Sequence, residues 1–259
     1  MESSDSNTSG MSDGPQFDAA GRDGRVPVAG LLFDGLARPS VADMAAMARN
    51  GAFAIAHRDD RGGGVEMLRD GLSFDCRGLA PGRALRCGPA VQTLDLPAEP
   101  ALTDLAMVAL GPAGHLAGAA SLLPVVRMLG GLLVDLCAAA GLRAVVWLPA
   151  RLAVSPAWFA QSVGAWLGGG PFPALALTAL SRGDRGFVSQ GLGFFTSQEF
   201  VMSRPDGGLR ETDARGAVRL IDWLVAHGRV DAPCEVDLIG FGAVGIAPDG
   251  RNGLNITIL

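Results

Sequence analysis

The residue whose position most directly suggests chemistry is a single glutamate in an apolar segment. Glu199 is followed by Phe200, Val201 and Met202, and the segment is predicted to form a strand. A carboxylate in such a strand either faces solvent or lies buried against a donor, and buried carboxylates often belong to functional sites. Because side chains alternate between the faces of a strand, the solvent-facing interpretation carries more weight.

One histidine and two arginines could complete a site with Glu199. His115 lies at the start of a long apolar segment, and Arg182 and Arg185 flank the turn signal Gly183-Asp184. A lone acid in an apolar strand near a Gly-rich turn favours a pocket for a small ligand or a hydrolytic reaction. This hypothesis assigns ligand-binding roles to Glu199, His115, Arg182 and Gly191, and it names no catalytic residue.

Other catalytic patterns are missing from the sequence. The three histidines, His57, His115 and His227, are scattered without the paired spacing of zinc ligands, so we expect no metal site. No lysine occurs, and all 21 basic residues are arginines, which excludes a Schiff base and a phosphate-loop lysine. The nucleophile-elbow pattern G-x-S-x-G is also absent.

Three glycines near the end match a dinucleotide-binding pattern. Gly240, Gly242 and Gly245 have the spacing G-x-G-x-x-G, but only 14 residues follow Gly245. The binding mechanism needs a helix after the glycines and an acidic residue about 20 positions later. We therefore expect no cofactor and interpret the glycines as a bend or bulge in a strand.

Composition limits the partners and the location. The net charge is −5 at pH 7 and only 18% of residues are charged, so no nucleic-acid surface is expected. Four separated cysteines without a C-x-x-C pair are typical of a reducing compartment, and we expect a cytoplasmic protein. The uncharged run 152–181 is interrupted by prolines and glycines, so we expect no membrane span.

The hydrophobic pattern predicts an α+β fold with a mixed, largely antiparallel sheet and helices packed on it. Residues 1–24 are rich in Ser, Asp and Gly and predict a disordered tail. Residues 25–259 are expected to form a single domain, in which 25–98 could be a separate N-terminal lobe. The predicted strands are Val26–Asp34, Ala52–His57, Leu72–Cys76, Val91–Leu94, Leu102–Leu110, Arg143–Leu148, Ala174–Leu180, two within Gly186–Ser203, Glu235–Ile246 and Leu254–Leu259.

Capping residues predict the helices. Ser40 begins a helix that ends at Asn50-Gly51, and Ser155 caps a helix over Pro156–Leu167. The segment Gly114–Ala140 predicts a long apolar helix that Pro124 kinks or divides. Thr212 or Asp213 is expected to cap a final amphipathic helix ending at His227.

Residues from about 100 to the end resemble a bacterial family known as domain of unknown function 4261. The resemblance rests on an ordered set of features: the apolar helix ending at Gly141, the segments Ala144–Trp147 and Leu152–Phe159, the strand at Gln190–Phe194 with Glu199-Phe200, and the closing Gly-rich strands. It implies a fold type and transfers no catalytic residues. It makes Gly191 and Glu199 the first positions to examine.

Two functions follow from these observations. Low charge and a hydrophobic content of 49% favour a non-catalytic interaction or regulatory domain, bound to a protein partner or to copies of itself. The alternative is a hydrolase or small-ligand-binding protein with a pocket near Glu199. The first hypothesis carries more weight.

Overall fold

The computed structural model describes residues 26–259, and the predicted tail 1–24 lies outside the described residues. The first half of the chain builds an eight-stranded sheet with the order β2-β3-β4-β6-β1-β7-β8-β5. Its strands are β1 (Ala29–Phe33), β2 (Ala54–Asp59), β3 (Gly64–Arg69), β4 (Leu72–Arg77), β5 (Gln92–Leu94), β6 (Ala106–Pro112), β7 (Leu142–Trp147) and β8 (Leu152–Val154). The helices among them are α1 (Val41–Ala48) and α2 (Leu123–Leu136).

The second half builds a six-stranded sheet with the order β12-β13-β14-β11-β10-β9. Its strands are β9 (Ala179–Gly183), β10 (Gly186–Gln190), β11 (Glu199–Ser203), β12 (Cys234–Leu238), β13 (Gly242–Pro248) and β14 (Gly253–Ile258). The helices of this half are α3 (Pro156–Leu167), α4 (Ala174–Leu177), α5 (Gly193–Thr196) and α6 (Glu211–His227).

The fold class is therefore α+β, as predicted, with two mixed and largely antiparallel sheets. Only the pairs β5–β8 and β11–β14 are parallel. Strands from residues 29–94 and strands from residues 106–154 are interleaved in the eight-stranded sheet, so both segments belong to one sheet. One cluster of buried apolar side chains extends from this sheet across α2 and α3 to the six-stranded sheet, which joins the two halves through a common core.

The two faces of the eight-stranded sheet differ. One face packs against α2 and α3 and carries the main core. On the other face, residues 85–102 cover the central strands, where Leu85, Ala90 and Leu96 pack on Met107 and Val146. That cover does not extend over β2, β3 and β4, whose polar side chains line a cleft instead.

Several predicted elements are confirmed with their capping residues. The Ser155 hydroxyl accepts a hydrogen bond from the Trp158 N–H at 3.2 Å, and α3 covers the predicted range. Ser40 and Asp43 form a capping box at the start of α1. Pro124 lies in the first turn of α2 and separates it from a 3₁₀ helix at Gly114–Ala119, so the long apolar segment is divided.

Other predictions are wrong. The predicted strand Ala174–Leu180 begins as the helical turn α4, since a short apolar run does not distinguish a buried helix from a strand. Arg210, rather than Thr212 or Asp213, occupies the N-cap of α6. Asp213 is the third residue of the helix, and its carboxylate accepts from the Arg210 N–H at 2.9 Å. The predicted strand Glu235–Ile246 is a hairpin with a turn at residues 239–241.

Candidate functional site

Glu199 lies at the start of β11, next to the connection that leads out of β10. One carboxylate oxygen accepts hydrogen bonds from the Gly191 and Gly193 N–H groups at 2.7 and 2.9 Å. The other oxygen accepts from the Ser189 hydroxyl at 2.5 Å. Ser189 in turn accepts from the Phe200 N–H at 2.9 Å. The half-buried carboxylate is therefore held on both oxygens by the turn beside it.

Gly191 is required by the shape of this turn. Its φ angle is +86°, which favours glycine. A Cβ atom at this position would lie 2.6 Å from the Cα atom of Ala150. Ala150 belongs to the connection between β7 and β8, so the Glu199 turn packs directly against the other sheet.

The turn also positions α5 at the junction of the sheets. Phe194 and Phe195 lie in α5, and the Trp147 ring of β7 packs at 5.7 Å from the first and 6.4 Å from the second. Trp147 and Trp166 are buried in the core. The carboxylate of Glu199 therefore stabilises a structural contact between the two sheets.

The structure brings Gly191 and Glu199 together and leaves the other predicted partners elsewhere. Arg182 is exposed and lies opposite Phe187 near the turn end of β10, whereas Glu199 contacts the other end. His115 is exposed in the 3₁₀ helix after β6. Arg185 is exposed in the β9–β10 turn. Glu199 and His115 line none of the four clefts identified in the described part of the chain.

A different row of polar side chains crosses three strands of the eight-stranded sheet. His57 on β2 lies opposite Glu66 on β3, and Glu66 lies opposite Asp75 on β4. Residues directly opposite in an antiparallel pair point to the same face, with their Cβ atoms about 5 Å apart. Asp59 and Arg77 lie two positions further along and extend the same face.

These five side chains define the outer face of β2–β4, the half of the sheet face that residues 85–102 leave open. They line a cleft of about 450 Å³. The opposite face carries Val65, Met67, Phe74 and Cys76, which are buried in the core. The alternation of apolar and polar residues along β3 and β4 thus determines which side chains face the cleft.

Among the described residues that line this cleft, negative charges outnumber positive ones. Three carboxylates, from Asp59, Glu66 and Asp75, line it together with one guanidinium, from Arg77. Asp59 accepts from the Gly62 N–H at 2.8 Å. Glu66 forms no hydrogen bond or ion pair with the residues that the structure describes. The arrangement can therefore bind a positively charged group.

The sequence contains a turn pattern that indicates the pairing of Glu66 with Asp75. Asp70-Gly71 is the strongest short-range indication of a two-residue hairpin turn, and both residues have positive φ angles, +47° and +82°. Counting outward from this turn pairs Glu66 with Asp75, which is the observed register. The irregularity between Ile55 and His57 prevents the same count on β2.

The remaining sequence patterns have structural explanations. Gly240 lies in the β12–β13 turn, and a strand, not a helix, follows the three-glycine pattern. Within residues 26–259, no cluster of three His, Cys, Asp or Glu side chains could hold a metal ion. In the same range, no helix combines the length and apolarity needed to cross a membrane.

No protein-family model, no curated protein and no solved structure matches this chain. The resemblance of residues 100–259 to domain of unknown function 4261 therefore stays a prediction. The α+β fold alone does not indicate a function, so the function is argued from the geometry of the clefts.

Proposed function

We propose that this chain is an interaction domain that binds a positively charged segment of a partner protein on the outer face of β2–β4. The observation that carries the proposal is the placement of Glu66 directly opposite Asp75. Like charges at directly opposite positions of a sheet are destabilising. Groups that reduce stability are expected mainly at functional sites.

A cationic side chain in the cleft would offset this repulsion. Hydrogen bonds between an ammonium or guanidinium group and a carboxylate are shorter and about twice as strong as neutral ones. Glu66 is half-buried and Asp59 is exposed, so both carboxylates can be reached from solvent. Salt screens such exposed charges, and binding is expected to weaken as ionic strength rises.

On this face of the eight-stranded sheet, the central strands can be compared with β2–β4. Over the central strands, apolar side chains such as Met107 and Val146 are covered by the chain itself. Over β2–β4, the described residues 85–102 do not cover the polar side chains that line the cleft. A partner segment on the outer face would continue the layer that residues 85–102 begin.

The alternative of a hydrolase or small-ligand site near Glu199 has less support. Both oxygens of that carboxylate accept hydrogen bonds from its own turn. His115 and Arg182 lie outside the turn, on other elements. A ligand at Glu199 would have to replace contacts that hold the two sheets together.

A cytoplasmic location belongs to the same proposal. All four cysteines are free thiols, which is typical of proteins in a reducing compartment. Burial, with a smaller contribution from Asp75, raises the pKa of Cys76 to about 12. Burial and the neighbouring Asp135 raise the pKa of Cys137 to about 12 as well. Both thiols are therefore protonated and unreactive at neutral pH.

The proposal is tested with a basic peptide, acetyl-Lys-Thr-Lys-Val-Lys-Thr-Lys-amide, titrated into the protein by calorimetry. The variant Asp59→Asn/Glu66→Gln should bind about 5-fold more weakly, since two solvent-accessible ion pairs contribute about 1 kcal/mol together. The control Glu235→Gln/Asp237→Asn removes the same charge from exposed positions of β12. It should bind like the wild type.

Two results would contradict the proposal. The first is equal affinity of the wild type and the Asp59→Asn/Glu66→Gln variant. The second is an equal loss in both double variants, which would show that net charge alone attracts the peptide. A peptide with Glu at each Lys position should not bind to any of these proteins.

A further inference from the structure

A second cleft lies between α1, the residues that precede it and the end of α2. Its volume is about 670 Å³, and its walls are mainly apolar. Ala46, Met47, Phe53 and Ala139 contribute side chains to the walls, and Arg38 contributes a cation. Small-molecule sites are typically apolar clefts of this size with a few polar groups that fix the orientation of the ligand.

The guanidinium of Arg38 has donors without acceptors. Its Nη2 donates to the Gly82 carbonyl at 2.8 Å. Its Nε and Nη1 atoms are buried, and neither has a hydrogen-bond partner. Buried N–H groups are paired in the great majority of cases, because a buried donor without an acceptor is destabilising. A guanidinium at the wall of a cleft with two unpaired donors, Nε and Nη1, favours an anionic ligand.

The two carboxylates of the cleft are already engaged and do not pair with Arg38. Asp135 forms an ion pair with Arg69. One oxygen of Asp43 accepts from the Ser40 N–H and hydroxyl groups at 2.8 and 2.7 Å. The backbone hydrogen bond from Ser40, followed by its hydroxyl hydrogen bond, lowers the pKa of Asp43, so this exposed carboxylate is negatively charged at neutral pH.

We propose that this cleft binds a small organic monocarboxylate with an apolar body. The ligand carboxylate accepts hydrogen bonds from the Nε and Nη1 groups of Arg38, which are buried in the structure and become accessible when the guanidinium turns toward the cleft. The apolar body packs on the Ala, Met and Phe walls. The charge of Asp43 disfavours ligands with several negative charges, such as nucleotides or citrate. This site is independent of the outer face of β2–β4.

Octanoate is the probe that tests this proposal, with octylamine, octanol and citrate as comparison compounds. Calorimetric titration should show binding of octanoate at least about 10-fold tighter than of octanol, since a hydrogen bond to a charged group contributes about 1.5–3 kcal/mol. Octylamine and citrate should bind more weakly than octanoate.

Three variants separate the roles of charge and shape. Arg38→Gln should reduce octanoate affinity by about 10-fold. Arg49→Gln removes the same charge from the exposed C-cap of α1, which does not line the cleft, and the affinity of this variant for octanoate should not change. Ala46→Leu adds volume at the cleft wall and leaves Arg38 in place, so it tests the site even where Arg38→Gln reduces stability through the lost contact with Gly82.

The proposal requires loss of octanoate binding in both Arg38→Gln and Ala46→Leu, with retention in Arg49→Gln. It is overturned when the wild type does not bind octanoate or binds octanol equally well. Unchanged affinity in Ala46→Leu would also overturn it, because the ligand would then occupy another surface.

Discussion

Two glutamates, one on a strand of each sheet, have different hydrogen-bond partners. Glu199 and Glu66 each lie on a strand and are half-buried. Glu199 accepts three hydrogen bonds from its own turn, whereas Glu66 forms none with the residues that the structure describes. Burial and residue type therefore do not distinguish a structural carboxylate from one available to a partner. The donors around the carboxylate make that distinction.

The backbone around each glutamate explains the difference. Before Glu199, the chain leaves the β10 ladder and turns back, so the N–H groups of Gly191 and Gly193 have no partner strand. The Glu199 carboxylate accepts their hydrogen bonds instead. At Glu66, the β3 backbone groups are paired on both sides, with β2 and β4. The strand offers Glu66 only neighbouring side chains, and one of them, Asp75, carries the same charge.

The largest effect is expected at Gly191. Gly191→Ala should reduce the free energy of unfolding by about 4 kcal/mol, because it combines a left-handed backbone with a Cβ that collides with Ala150. Gly250→Ala is the matched control, since Gly250 also has a positive φ, +77°, and open space around it. It should cost about 1 kcal/mol in urea unfolding. Equal losses would show that the contact with Ala150 is not tight.

Removing the Glu199 carboxylate is expected to have the next largest effect. Glu199→Ala should reduce the free energy of unfolding by about 3 kcal/mol, because the Gly191 and Gly193 N–H groups lose a charged acceptor. Glu235→Ala, at an exposed strand position of β12, should change it by less than about 0.5 kcal/mol. If Glu199→Ala unfolds at the same urea concentration as the wild type, the turn does not depend on this carboxylate.

Asp213 is a second carboxylate that accepts hydrogen bonds from neighbouring groups. We therefore expect the free energy of unfolding to depend on pH. The Arg204 hydrogen bonds hold its pKa below the usual value, and the side chain is fully buried. Because the folded-state pKa is lowered, the stabilisation is complete above the ordinary aspartate pKa of about 3.9 and is lost as pH falls toward the folded-state pKa.

Asp213→Asn should therefore cost about 2 kcal/mol at neutral pH. It should also lose less stability than the wild type between about pH 5 and about pH 2. Urea unfolding at several pH values measures both effects. Parallel pH profiles of the two proteins would exclude Asp213 as a source of acid sensitivity.

The smallest expected effect has the opposite sign. Glu66→Gln should increase the free energy of unfolding by about 0.5 kcal/mol, because it removes the repulsion with Asp75 across the β3–β4 pair. The gain should shrink at high salt, which screens exposed charges. A loss of stability in Glu66→Gln would mean that Glu66 has a structural role like that of Glu199.

The sequence predicts the local elements better than the sites. Ser155 and Pro156 locate the start of α3, because capping chemistry is local. The strand β3 was not predicted, since Gly, Arg and Asp residues surround it and obscure its alternation. The row of His57, Glu66 and Asp75 depends on register across three strands, and the shift in β2 leaves no trace in composition.

Glu199 shows the same limit of sequence-based prediction at a residue that the sequence did single out. The apolar neighbours of this residue correctly indicate an unusual environment, and Gly191 indicates a turn. The identity of the donors depends on how the chain returns from β10 to β11, which is a tertiary property. The sequence therefore identified the position of the carboxylate without its role.

The most direct test of the account is a ¹H–¹⁵N correlation titration of the full chain with the Lys-Thr-Lys-Val-Lys-Thr-Lys peptide. The account predicts that amide shifts move on β2, β3 and β4, and that the amides of Gly191 and Gly193 do not. Shifts centred on the Glu199 turn, or no shifts on β2–β4, would contradict the assignment of the binding surface.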